Sequence, residues 1–238
     1  PLVALIMRTR PQEIGLLPNG ERSLDGAKAS ESLPQPSSTA NDKNSNLNNR
    51  PAAIPIRTKE LWLIGFAFSF VSFGIIGVIT HEVPFIVDMG ISSTAAAAVL
   101  GLTAGIGILG KLGFGYFADR LSPRWVMLAC IALQAGGVVI LMQSRSLGMV
   151  WAFVTVFAFA MGGTNTLRPL VIGEFFSIDS FGRTFGLTEL IRRFGAAAGP
   201  FVAGYIFDIT ESYHYAFITI IAAYLVGIVL LFKIHPVE

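Results

Sequence analysis

Six apolar runs dominate this chain after residue 60, at roughly Leu61–Thr80, Ser93–Phe117, Trp125–Gln143, Leu147–Ile172, Thr184–Phe207 and Tyr215–Ile234. Each is about 20 to 26 residues long, enough as a helix to cross ~30 Å of hydrocarbon at about 1.5 Å per residue. Inside lipid the backbone must satisfy its own hydrogen bonds, so runs of this length and composition are expected to be membrane helices. The chain is 53% hydrophobic and 13% charged, outside the soluble globular range. The expected class is therefore an all-α membrane protein with six transmembrane helices. Gly101-x-x-x-Gly105 and the series Gly107, Gly110, Gly113 predict that the second helix packs closely on a neighbour.

The other features bound the function. A net charge of +2 gives no basis for nucleic-acid binding. The single cysteine, Cys130, lies inside an apolar run, so an intrachain disulfide or a cysteine-ligated metal site is excluded. No metal-ligand cluster and no nucleophile–base pair stands at membrane depth, so neither an enzyme nor a metal or cofactor site is expected. Residues 1–7, Pro-Leu-Val-Ala-Leu-Ile-Met, are too few to span a bilayer and are expected to be the end of a preceding, truncated transmembrane helix. Residues 8–60 turn to Pro, Ser, Asn, Gly and charge and are expected to be a largely disordered cytoplasmic linker. Residues 61–238 are expected to form the six-helix transmembrane domain.

Basic residues set the orientation. With the linker taken as cytoplasmic, Arg57, Lys59, Arg120, Arg124, Arg183 and Lys233 all flank cytoplasmic ends, and the opposite connections contribute only Arg145. Both ends of the six-helix unit are therefore expected inside, in the plasma (inner) membrane.

The loop Gly115-Tyr-Phe-Ala-Asp119-Arg120-Leu-Ser-Pro-Arg124 packs charge between two membrane helices. Its spacing resembles the cytoplasmic signature loop of the major facilitator superfamily, although Ser122-Pro123 stands where the family usually has glycine. The resemblance implies the second half of a twelve-helix fold built from inverted three-helix repeats, with a first half of the same protein as partner and Gly115, Asp119, Arg120 and Arg124 in a gating role. A positive-inside loop without a gating role is the plainer alternative. The residues themselves show no strong three-helix self-similarity.

Ionisable residues deep in the runs are the candidates for chemistry, because charge in lipid is costly. By helical rise Lys111 lies about 12 Å, and Arg192 roughly 13.5 Å, from the cytoplasmic edge, nearly the same depth. Glu189 precedes Arg192 by three residues and Arg193 by four. The four-residue spacing predicts a Glu189–Arg193 pair, which leaves Arg192 and Lys111 without a carboxylate. Arg168 adds a third cation, with Glu174 near enough in sequence to balance it. Such an excess of positive charge would attract an anion, and a guanidinium suits a carboxylate. Snorkelling to the headgroups is the alternative for Lys111 and Arg168. Asn165, in Gly162-Gly163-Thr164-Asn165-Thr166, either binds solute or bonds to a neighbouring helix. His81 either carries a proton or is an interfacial hydrogen-bonder.

His81-Glu-Val-Pro84, Asp88-Met-Gly90, and Gly186-Leu-Thr-Glu-Leu-Ile-Arg192 through Gly199-Pro200 are similar to the monocarboxylate transporter and oxalate/formate antiporter branches of that superfamily. This similarity implies that Lys111 and Arg192 contact the substrate carboxylate, with a proton or a counter-anion as co-transported partner. A carrier or efflux pump for a neutral or cationic solute, and a non-transporting membrane sensor or scaffold, are the rival expectations.

Overall fold

The computed structural model describes residues 59–234, except for the side chain of Asp179. The expected helix end at 1–7 and nearly all of the linker at 8–60 lie outside the described residues. Within them are six helices and no strand: α1 Lys59–Asp88, α2 Ser93–Ala118, α3 Pro123–Met142, α4 Leu147–Phe175, α5 Ile178–Thr210 and α6 Tyr213–Phe232.

Two helices are longer than the apolar runs predict. α1 continues from Thr80 to Asp88 with Pro84 inside it, so His81 and Glu82 are helical and not part of a connection. A proline removes one intrahelical hydrogen bond, a loss that membrane helices tolerate when their neighbours supply packing. α5 begins at Ile178, before the apolar run itself. Five helices are long and apolar enough to cross a membrane on that criterion alone, and α5 is the exception. It carries Arg183, Glu189, Arg192 and Arg193.

The helix pairs with the most extensive packing are α1 with α5, α2 with α4, α3 with α4, and α1 with α6, followed by α3 with α6. Exchanging α1–α3 for α4–α6 maps the first pair onto the second and the third onto the fourth, and leaves the fifth unchanged. The three-helix repeat is therefore present in the packing although the residues do not spell it. An odd number of spans separates the two copies, so the repeat is inverted.

Glycine makes both of the closest crossings. A Cβ on Gly110 would fall on the Phe159 carbonyl oxygen, and one on Gly162 on the Gly107 carbonyl oxygen, joining α2 to α4. In the equivalent α1–α5 crossing, a Cβ on Gly195 would meet the Ser69 carbonyl and one on Gly199 the Phe73 carbonyl. Lipid gives helices no hydrophobic reason to associate, so this backbone approach and its dispersion contacts supply the attraction. Gly101 and Gly105 do not make the close packing expected of them within this unit: among the described residues nothing lies within 4 Å of a Cβ at either. The close face of α2 is the Gly107–Gly110 face.

Candidate functional site

α1, α4 and α5 enclose a cavity of about 250 Å³. Its polar lining is Ser72 from α1, Thr164, Asn165 and Arg168 from α4, and Arg192 from α5; Ile75, Ile76, Ile79 and Met161 supply the apolar wall. Ser72 and Arg192 stand about midway along their helices, and Arg168 is roughly two turns from the end of α4.

The charges are arranged around one carboxylate. Glu189 Oε1 takes Arg168 Nη1 at 2.5 Å, and Oε2 takes both Arg192 Nε and Nη2 at 2.9 Å. The second arm of Arg168 donates to Asn165 Oδ1 at 2.8 Å, and Arg192 Nη1 donates to Ser72 Oγ at 3.3 Å. Two guanidiniums and one carboxylate leave one net positive charge. The three side chains are 16–19% exposed, so they are largely removed from other compensation.

These contacts correct the pairings expected from spacing. Glu189 binds Arg192 at the three-residue spacing and Arg168 across to α4, while Arg193 is exposed. The four-residue rule orders partners on an isolated helix surface; here the inward direction of Arg192 and the proximity of α4 decide. Arg192 is thus not without a carboxylate. Glu174 is committed elsewhere and does not balance Arg168. Its Oε1 accepts from Ser122 Oγ at 2.6 Å and its Oε2 from the Arg124 backbone N–H at 3.1 Å. Ser122 is the N-cap of α3 and makes no side-chain capping bond of its own. The Glu174 carboxylate therefore caps a helix N-terminus whose backbone donors have no intrahelical partner.

Lys111 is exposed on α2 and does not line the cavity. The cation beside Arg192 is Arg168 and not Lys111. In the signature loop, Asp119 is the exposed C-cap of α2. Arg120 lies over the Tyr116 ring at 3.7 Å, a cation–π contact. Arg124 Nη2 donates to the Phe232 carbonyl at 2.6 Å, which ties the start of α3 to the end of α6. A Cβ on Gly115 would stand an ordinary 3.8 Å from Thr166, so the approach of helices there is looser than at Gly110. His81 Nδ1 faces the Gly77 carbonyl at 2.9 Å; a carbonyl only accepts, so Nδ1 carries the proton and donates. Its ring packs on Tyr213 with centroids 5.8 Å apart.

Sequence reasoning missed Ser72 and the bridging role of Glu189, both of which depend on how helices meet. It also missed Gln134, fully buried in α3, whose Nε2 donates to Thr164 Oγ1 at 2.5 Å. An amide inside an apolar run was the available signal.

Residues 61–238 match the sequence profile of the Major Facilitator Superfamily. The chain belongs to that superfamily. Among curated members, it is 26% identical over 153 residues to monocarboxylate transporter 12 of Rattus norvegicus, covering 63% of this chain and 32% of the relative. The Homo sapiens protein of the same name is 26% identical over 153 residues, covering 63% and 30%. MFS transporter asaE of Aspergillus flavus is 24% identical over 141 residues, covering 58% and 32%. The chain thus spans about a third of the length of these relatives. Superfamily membership and the apolar helices together make it an integral membrane protein, with six helices corresponding to half of a twelve-helix fold.

Proposed function

We infer that this chain is the second half of a secondary active transporter for small organic anions, monocarboxylates in particular, and not an enzyme. Alternating access would come from rocking of two six-helix halves around the cavity. The observation that carries the proposal is the shared carboxylate: Glu189 neutralises one of two guanidiniums, and the cavity they line keeps a positive charge. A solute carboxylate would complete the balance. Its oxygens would be held by Arg192 and Arg168, with Asn165 and Ser72 as further partners, and its apolar end would lie against Ile75, Ile76 and Ile79. The relatives named monocarboxylate transporter 12 support the same class.

Lys111, exposed on α2, is proposed to meet the solute in another state of the cycle, from the side of the other half of the protein. Asp119, Arg120 and Arg124 are proposed to hold the cytoplasmic gate, with Gly115 at its helix crossing. The basic residues favour both ends of the six-helix unit in the cytoplasm and the plasma (inner) membrane as the location.

A second carrier class has one observation in its favour. Each guanidinium already contacts Glu189, so a neutral solute would leave the network intact. Uptake by the whole transporter in proteoliposomes separates the two classes, using labelled lactate, a sugar and an organic cation. Lactate uptake that falls to background in Arg192→Gln supports the anion carrier. Uptake of the sugar alone, or lactate uptake unchanged by that substitution, overturns it.

A further inference from the structure

Glu82 is completely buried, and among the described residues neither carboxylate oxygen has a hydrogen-bond partner. It stands six residues before Asp88, the end of α1, which is about 9 Å along the helix axis. The side chain beside it is Thr103 of α2, itself buried, whose hydroxyl proton is already given to the Val99 carbonyl at 3.0 Å. With its proton on Val99, the Thr103 hydroxyl turns lone pairs toward Glu82. A carboxylate facing an acceptor gains nothing, whereas a carboxylic acid can donate its O–H to Thr103 Oγ1.

Among the described residues no cation compensates Glu82. Asp88, Arg145, Asp208, Glu211 and His214 at this end of the bundle are exposed, the buried Tyr213 packs on His81, and among the described residues no ion pair forms with Glu82. His81 turns to Gly77 and to Tyr213 of α6. On α5, Gly204 stands against His81 rather than Glu82. Lys111 of α2 is eight residues past Thr103, about 12 Å further into the bundle. Burial is complete within α1–α6 themselves, so no segment outside residues 59–234 is needed to remove Glu82 from water. A charge left there would be unpaired in a low-dielectric site, which is the costly state.

We propose that Glu82 is a proton-binding site that couples proton movement to solute movement, a role that rests on the transport function proposed above. In a conformation of the transport cycle that admits water to Glu82, the carboxyl exchanges its proton with that water. On return to the dry position beside Thr103 only the neutral acid is accommodated. Each opening therefore binds or releases one proton, between bulk water and the Glu82 carboxylate, with no other co-reactant.

The test uses the whole transporter with labelled lactate. An inward proton gradient should drive accumulation by the wild type, and Glu82→Gln should lose that accumulation while keeping lactate–lactate exchange, which needs no net proton movement. Gradient-driven accumulation by Glu82→Gln equal to the wild type overturns the proposal. Infrared spectroscopy of the purified protein at neutral pH gives a readout that needs no transport. The wild type should show the carbonyl stretch of a buried carboxylic acid, absent in Glu82→Gln and shifted in Thr103→Val, which keeps shape but removes the acceptor. Absence of that band in the wild type overturns the proton site whatever the solute. Its presence in a protein that transports no carboxylate would uphold the site as a proton-binding group and reject the anion function alone.

Discussion

Removing the carboxylate of Glu189 should expose the repulsion it now suppresses. In Glu189→Gln, Arg168 and Arg192 lose charge-assisted contacts at 2.5 and 2.9 Å, each worth about 1.5–3 kcal/mol. The guanidiniums, bound to opposite oxygens of one carboxylate, are left roughly 6 Å apart, where at an effective dielectric near 20 like charges repel by about 3 kcal/mol. The side chains are not fully enclosed, and water entering the cavity recovers part of both losses. A net destabilisation of about 2–4 kcal/mol follows, in line with the ~3–5 kcal/mol of breaking a buried pair. For a unit of this size that is a fall in melting temperature of roughly 5–15 °C. The assay is thermal unfolding of the detergent-solubilised whole protein with increasing lactate. An added carboxylate occupies the place of the lost one, so lactate should bind Glu189→Gln more tightly and stabilise it more than the wild type at the same concentration; either protein gains about 2.7 kcal/mol at a hundredfold excess over its own dissociation constant. A variant that melts with the wild type, or a deficit that lactate leaves unchanged, would refute the shared-carboxylate reasoning.

Three further outcomes are expected. Gly110→Val and Gly195→Val should each drive a side chain into an opposing carbonyl, at a cost above the ~1–3 kcal/mol of ordinary overpacking, and should lose the monodisperse peak on size-exclusion chromatography; Gly101→Ala, in open space, should keep it. Glu174→Gln should weaken the capping of α3 by about 1 kcal/mol and lower the melting temperature by roughly 2–4 °C. Gln134→Met removes an amide whose oxygen has no partner and leaves Thr164 its bond to the Ala160 carbonyl at 3.3 Å, so its stability cost should stay under about 1 kcal/mol, read from the same thermal unfolding.

The helices were legible because length and apolarity are local properties, and lipid permits little else. Their ends were less so: α1 runs through Pro84 because its neighbours hold it, which no window of residues reports. Depth along a helix singled out Lys111 and Arg192, of which Arg192 lines the cavity and Lys111 does not; Arg168 entered only as a third cation. Partner choice was another matter, since Glu189 answers to the α4–α5 crossing and not to its spacing from Arg193. The inverted repeat is invisible in the residues for a related reason. Gly107, Gly110 and Gly162 make one crossing and Gly195 and Gly199 its counterpart, and what is repeated is the backbone approach, not the flanking side chains. Glu82 was passed over because a helix end was expected at Thr80, which placed it in a connection.

The location of a bound carboxylate is the decisive measurement. Crystals of the whole transporter soaked with a brominated short-chain carboxylate should give an anomalous bromine peak in the α1–α4–α5 cavity, against Ile75 and Ile79, with the carboxylate density on Arg168 and Arg192. A bromine peak elsewhere in the protein, with that cavity unoccupied by the anion, would contradict the assignment of these two arginines to the solute.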